Sequence, residues 1–276
     1  YDDMIFISLS NMNPEFQDNI ISVGISFESQ MLSLIRFIKK QKRSKTMILV
    51  PKNQYTDFIE KKLNKIKLKN YKIFKYNPDP KILTGEIEVL TSYSQRKKNL
   101  EIKKKMFQDK EDEQSKRTMK KLEQKYTIGD VNFDSIIIID FGSSLKSVLT
   151  SLIFTDVSQE KVLFTTLNQW FDESIFYENT VKSLYYPSVN YREFKKYKDN
   201  YSKIFKNHPN EITILAYDAI GLVYYVWKKN NNIKSINDFS FKGKIKGKIG
   251  TFSFENNKII QDLKIYKAED NQFTKF

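Results

Sequence analysis

The chain has 276 residues, 40% hydrophobic and 29% charged, enough to bury a sizeable core and too apolar for a disordered chain. It has no cysteine, which excludes a disulfide framework, a cysteine nucleophile, an iron–sulfur cluster and a thiolate zinc site. Its 47 basic and 33 acidic residues give a net charge of +14, and its one histidine, His208, excludes a multi-histidine metal site. Only Arg36, Arg43, Arg96, Arg117 and Arg192 are arginine; the other 42 basic residues are lysine. Surfaces that read bases or grip phosphates lean on arginine forks. A solvated, lysine-rich surface therefore accounts for the charge better than nucleic-acid binding does.

No run of about 18 apolar residues is present, and no basic-then-apolar signal opens the chain. The chain enters an apolar strand almost at once, which gives the expectation that it starts in the middle of a domain. That strand is Met4–Leu9, ended by Ser10-Asn11-Met12-Asn13-Pro14. A second strand-like piece runs from Ile20 to Val23. Phe27–Lys40 has Met31, Leu34, Ile35 and Ile38 at helical spacing, with Ser26 and Ser29 placed to cap it. Thr46–Pro51 is a buried strand, Asn53–Leu68 a helix and Tyr71–Tyr76 a further strand. Glu86–Tyr126 is long, highly charged and poor in large apolar residues, and reads as a broken helix or helical hairpin projecting into solvent.

Four consecutive isoleucines, Ile136 to Ile139, mark a strand buried on both faces, as in a parallel sheet covered by helices. A helix over Ser144–Phe154 and a strand over Lys161–Thr166 follow. The alternation of strand and helix predicts an open α/β sheet. Two more helices are expected over Phe194–Phe205 and Ile212–Trp227. Phe241–Phe254 and Lys258–Lys267 read as antiparallel strands joined at Glu255-Asn256-Asn257.

This order resembles the type I periplasmic-binding-protein family, typified by branched-chain amino-acid binding proteins. Leu215-Ala216-Tyr217-Asp218-Ala219 opening a helix, with Gly247-Lys248-Ile249-Gly250-Thr251-Phe252-Ser253-Phe254 some thirty residues on, carries the likeness. Within that superfamily the chain looks most like the penicillin-binding-protein activators, lipoproteins that stimulate peptidoglycan synthases. The narrower likeness rests on the insertion from Tyr93-Ser94-Gln95-Arg96, on Gly129-Asp130-Val131-Asn132-Phe133-Asp134 leading into the isoleucine strand, and on Thr165-Thr166-Leu167-Asn168-Gln169-Trp170.

The resemblance implies two α/β lobes, each a parallel sheet flanked by helices, with a cleft between them and the N-terminal part of lobe one missing. On that template 1–11 ends the first segment of lobe one. Residues 12–170 form lobe two, with the charged helical insertion at about 86–126. Residues 171–230 return to lobe one, and 231–276 supply C-terminal strands of lobe two. The shortened lobe one is expected to have an open, apolar side.

The resemblance also places cleft residues. Ser8, Ser10 and Asn11 stand where relatives hold a ligand carboxylate with neutral donors, though a turn satisfying local backbone groups would use the same residues. Tyr55 matches a tyrosine laid over the ligand. Phe141 and Gly142 match the next cleft strand end; Asp140 is placed either to substitute for the acid that amino-acid-binding relatives carry or to cap the helix from Ser143. Relatives that bind an α-amino group carry a carboxylate after the next strand; this sequence has Asn168 and Trp170 there and no acid, and a neutral amide pairs poorly with an ammonium.

Elsewhere, Asp218 in an apolar helix is expected to accept hydrogen bonds from a neighbouring loop. His208 precedes Pro209 in a polar loop and is expected to have no nearby acid or serine partner. Gly243, Gly247 and Gly250 do not follow a strand and open a helix, so they form no phosphate loop. Trp170 and Trp227 are more often core than contact. Asp109, Glu111, Asp112 and Glu113 lack the spacing of a calcium loop. The expectation is a non-catalytic protein without cofactor or metal. The favoured partner is a peptidoglycan synthase (a penicillin-binding protein) in the periplasm, the chain belonging to a lipoprotein anchored to the outer membrane. The alternative is an amino-acid ligand and an ABC transporter permease. Nucleic acid is not among the expected partners.

Overall fold

The computed structural model describes residues 4–9, 19–66, 70–177, 182–241, 243–248, 250–255 and 258–276. In chain order, β1 (Phe6–Ser8) and β2 (Ile20–Ser22) lead to α1 (Phe27–Lys40), β3 (Thr46–Pro51), α2 (Thr56–Lys65) and β4 (Tyr71–Tyr76). Three helices follow, α3 (Pro80–Leu90), α4 (Tyr93–Gln108) and α5 (Glu113–Glu123). Then come β5 (Ser135–Ile138), α6 (Gly142–Phe154), β6 (Leu163–Thr166), β7 (Leu184–Ser188), α7 (Tyr191–Phe205) and α8 (Ile212–Asn230). The C-terminal strands are β8 (Lys244–Lys246), β9 (Thr251–Glu255), β10 (Lys258–Gln261), β11 (Lys264–Glu269) and β12 (Gln272–Lys275).

The larger of two sheets has the order β12–β11–β7–β6–β5–β3–β4. β7, β6, β5, β3 and β4 run parallel, and β11 and β12 add antiparallel at the β7 side. The isoleucine strand lies near its middle, and alternate residues feed two cores. Ile136 and Ile138 pack with Leu83 and Ile87 of α3, Leu145, Val148, Leu149 and Leu152 of α6, and Phe194 of α7. Ile137 and Ile139 pack with Met31, Leu34 and Ile38 of α1 and with Ile59 and Leu63 of α2. A strand sandwiched this way has no polar face, which is why its sequence shows no alternation. Each such isoleucine contributes about 1.5–3 kcal/mol by burial. α1 begins where expected, with the Ser26 side chain accepting from the Ser29 amide at 3.1 Å.

The smaller sheet has the order β1–β2–β10–β9–β8. β1, β2 and β10 are parallel, and β9 and β8 are antiparallel to their neighbours. Ala219, Leu222 and Val226 of α8 pack on this sheet with Ile21, Val23, Phe252, Phe254 and Ile259. Ile214 and Leu215, one turn earlier, belong to the core of the larger sheet, so α8 bridges the two.

Several expectations change. β7 was not anticipated, because Pro187 interrupts its apolar pattern; it pairs with β11 along Leu184–Ser188 and joins the larger sheet, although 171–230 was assigned to lobe one. β2 was assigned to lobe two and pairs with β1 in the smaller sheet. The C-terminal segment divides, with β8–β10 in the smaller sheet and β11–β12 in the larger. The expected solvent-projecting insertion also starts too early. Glu86 lies in α3, whose Leu83 and Ile87 pack in the main core, so the charged arm is the hairpin of α4 and α5. α2 is shorter than expected at its start, because Asn53 Oδ1 accepts from the Tyr55 amide at 2.9 Å and makes a turn before Thr56. Its expected last two residues lie outside the described residues.

Candidate functional site

In an open parallel sheet, the crevice lies at the carboxyl ends of the strands where the strand order reverses. Here β3 comes first of its group in sequence and has β4 on one side and β5 on the other, so the reversal falls between β3 and β5. The residues following those strands include Tyr55, Asp140 and Phe141. Tyr55 is 45% exposed and Phe141 54% exposed. Gly142, with φ of +55°, turns the chain into α6 directly behind Phe141.

Asp140 is fully engaged. Its carboxylate accepts from the Tyr76 hydroxyl at the end of β4, from the Ser144 hydroxyl in the first turn of α6, and from the Phe141 amide at 2.8 Å. Burial, then the adjacent Asp140 charge, raise the Tyr76 hydroxyl above its ordinary pKa. The Asp140 carbonyl in turn accepts from Gln169 Nε2 at 3.2 Å. The carboxyl ends of β4, β5 and β6 are thereby tied together around β3.

Asn168 is 3% exposed and points inward. Its Oδ1 accepts from Ser188 Oγ at 2.8 Å and from the Trp170 backbone amide at 3.0 Å, and its backbone N–H donates to Gln30 Oε1 at 2.8 Å. It stitches β6 to β7 and α1 rather than facing a cleft. Trp170 is half-buried on Phe194, ring centroids 5.9 Å apart. Trp170 and Phe171 have φ of +51° and +59°, consecutive left-handed positions that side chains of this size rarely adopt. The tight reversal sends Phe171 into an aromatic cluster with Tyr186, Tyr191, Tyr266 and Phe273. Ser8 ends β1 half-buried, and its carbonyl accepts from the Val23 amide at 2.8 Å. Ser10 and Asn11 lie outside the described residues.

The residues that complete this edge and were not singled out in the sequence are Tyr76, Ser144, Gln169, Gln30 and Ser188. Tyr76 carried one usable signal, its place as the last residue of a strand before Asn77-Pro78. Gln30 offered another, as the polar residue on the buried side of an amphipathic helix.

The hairpin of α4 and α5 stands away from this edge and is anchored by Arg96. Its guanidinium donates to the carbonyls of Gly129, Thr155 and Asp156 and to the Thr127 hydroxyl, all at 2.8–3.0 Å. Beyond the anchor, Ile102 is 53% and Met106 62% exposed, among lysines. Residues 93–123 hold eleven basic and six acidic side chains.

Asp218 behaves as expected, accepting from the Lys248 amide. His208 differs: its Nδ1 lies 3.3 Å from Oγ of Ser202, six residues earlier in the last turn of α7, so it does have a serine neighbour. Among the described residues no cluster of three or more metal-ligating side chains occurs. No helix among them is long and apolar enough to cross a membrane.

No protein-family model matches the sequence, and no curated protein is significantly similar to it. Solved structures do match. A leucine binding protein, LivK, of Thermotoga maritima aligns at a TM-score of 0.63 with 10% identity, over 99% of this chain and 72% of that one. A putative branched-chain amino acid ABC transporter protein of Rhodospirillum rubrum aligns at 0.66 with 8% identity, over 100% and 73%. The C-domain of LpoA from Haemophilus influenzae, a regulator of PBP1A, aligns at 0.57 with 11% identity, over 99% and 74%. The chain has the type I periplasmic-binding-protein fold. It spans 43% of full-length LpoA from the same organism. The identities of 8–11% carry fold alone.

Proposed function

We propose that the chain is a non-catalytic, two-lobed periplasmic domain that activates a peptidoglycan synthase by protein contact. On this reading the smaller sheet with α8 belongs to lobe one and the larger sheet to lobe two. Part of a periplasmic lipoprotein anchored to the outer membrane is the corresponding setting. The observation that carries the reading is the state of Asp140 and Asn168. An amino-acid receptor needs a carboxylate free to meet an ammonium in a desolvated crevice. Asp140 is already committed to Tyr76, Ser144 and the Phe141 amide, and Asn168 is neutral and buried. The likeness to the LpoA domain agrees with this.

The hairpin of α4 and α5 is the proposed contact surface. Its exposed face combines Ile102 and Met106 with Lys98, Lys103 and Lys105, an apolar centre in a basic surround suited to an acidic partner surface. The test is a triple charge reversal, Lys98→Glu, Lys103→Glu and Lys105→Glu. It should leave the fold intact and abolish stimulation of the cognate synthase. Stimulation equal to the unaltered protein would refute the hairpin as the contact.

The second reading is a solute-binding protein of an ABC transporter for branched-chain or other amino acids. The exposed Tyr55 and Phe141 at the crevice favour it, as do the named functions of the Thermotoga and Rhodospirillum proteins. Titration calorimetry with leucine, isoleucine and valine separates the two. Micromolar binding abolished by Tyr55→Ala would establish the second reading.

A further inference from the structure

A cavity of about 860 Å³ opens at the amino ends of β3, β5 and β6, against the base of the α4–α5 hairpin. It lies at the opposite end of the larger sheet from the crevice. Five cationic and three acidic side chains line it, a surplus of two positive charges. Each acid is already engaged. Asp130 pairs with Lys161 at 2.7 Å, and Asp134 accepts from the Ser44 and Lys45 amides. Asp156 accepts from the Thr127 hydroxyl and lies 4.0 Å from Arg96. Among the described residues, Lys161–Asp130 and Arg96–Asp156 are the ion pairs of this cavity. Arg43, Lys45 and Lys125 are left without an acid.

We propose that this cavity binds a dianionic phosphate group carried on a larger body, held by Arg43, Lys45 and Lys125. The inference is independent of the activator reading.

Three observations select this ligand. The Arg43 guanidinium is half-buried, and its Nη1 donates to the Lys161 carbonyl at 2.9 Å. Its Nε is fully buried and has no partner. A buried donor left unmade costs about 1–3 kcal/mol, which an acceptor brought to that edge recovers. A guanidinium fork matches two phosphate oxygens, and the exposed Lys45 and Lys125 add point charges. Charge is the second observation. A phosphate monoester carries about −1.5 to −2 at neutral pH, matching the surplus of two. A carboxylate or a nucleic-acid phosphodiester carries only one. Size is the third. The cavity falls within the roughly 300–1,000 Å³ of small-molecule sites, far more than phosphate alone fills. Buried Phe133, Val157 and Val162 also line it, giving the rest of the ligand an apolar wall.

The test uses two probes, glycerol 3-phosphate in titration calorimetry and phosphatidylcholine vesicles with or without phosphatidic acid in co-sedimentation. Binding should be saturable and should weaken about tenfold or more in Arg43→Gln/Lys45→Gln. Lys125→Gln, in an exposed loop, should weaken it without touching the packing around Arg43. The control is Lys103→Gln/Lys105→Gln, which removes the same charge from the hairpin and should bind as the parent does. Binding of glycerol 3-phosphate assigns the site to a free phosphorylated solute. Capture by phosphatidic acid vesicles alone, with the same dependence on Arg43 and Lys45, assigns it to a lipid phosphate. Saturable binding of neither probe would overturn the proposal. Equal losses in the cavity and hairpin variants would overturn it too, since the net charge of +14 would then account for the binding.

Discussion

The Tyr76 hydroxyl donates to the carboxylate of Asp140, joining the ends of β4 and β5 across the intervening β3. Tyr76 is fully buried, so its hydroxyl has no water to fall back on. Tyr76→Phe removes one bond but leaves Asp140 its Ser144 and Phe141 donors, and should cost about 1 kcal/mol. Asp140→Ala removes the charged acceptor of the buried hydroxyl, leaving it only Ser144, and should cost about 2 kcal/mol. Urea denaturation of the two single variants and the double variant gives the coupling; strictly additive losses would show that the bond carries no stability. The raised pKa of Tyr76 gives the alkaline sign. A group raised in the folded state contributes fully below its unfolded pKa, about 10 for tyrosine. That contribution should fade as pH rises above that value in the parent and be absent in Tyr76→Phe.

Gly247 lies against the Asp218 carboxylate. A Cβ added there would stand 2.5 Å from Oδ2 and 2.9 Å from Phe252 Cε1. Neither neighbour can withdraw easily, since Asp218 is 5% and Phe252 2% exposed. Gly247→Ala should therefore destabilise by about 2 kcal/mol or more. Gly85 in α3 is the control: nothing lies within 4 Å of its Cβ position. Gly85→Ala should stabilise by about 0.5–1 kcal/mol through helix propensity. Thermal melts of the two variants should move in opposite directions.

Arg96 links the charged hairpin to the body through four hydrogen bonds, three of them to carbonyls. Burial lowers its pKa, and the nearby Asp156 and Asp130 charges offset this. Arg96→Ala removes the donor to the buried Thr155 carbonyl and to the more open carbonyls of Gly129 and Asp156, and should cost about 2–3 kcal/mol. The loss should be local, so amides of 93–123 should exchange faster in the variant while those of β3 and β5 keep their protection. Uniform acceleration across both regions would mean that the hairpin is part of the global folding unit.

The larger sheet was legible because its signal is additive along the chain: the isoleucine strand, the amphipathic α1 and the turn residues between elements all agree. β7 was not legible, because Tyr185, Tyr186 and Pro187 become a strand by pairing with β6 and, mostly, with β11 some eighty residues later. The two-sheet division of the C-terminal strands was hidden for the same reason, since β10 and β11 are separated by only Asp262 and Leu263. That Tyr55, Asp140 and Phe141 follow the carboxyl ends of β3 and β5 could be read from the strand boundaries. That Asp140 was already satisfied could not, because Tyr76 and Ser144 reach it from separate elements. Asn168 was misjudged in orientation: its type fitted a crevice, while its contacts with Ser188 and Gln30 turn it into the core.

Asp134 supplies the acid-side prediction. It precedes β5 and accepts from the Ser44 and Lys45 amides at 2.8 and 3.0 Å and from the Ser44 hydroxyl at 3.1 Å. Burial alone would raise its pKa; the hydrogen bonds from Ser44 and Lys45 outweigh burial and lower it. A lowered carboxylate contributes stability that is fully present above its unfolded pKa, about 3.9, and is lost as pH falls through the folded value. Asp134→Asn should therefore cost about 1–2 kcal/mol at pH 7. The gap between variant and parent should close as pH falls below about 4. A gap that stays constant from pH 7 to pH 3 in urea titrations would show that the charge on Asp134 does not hold the start of β5 to the turn before β3.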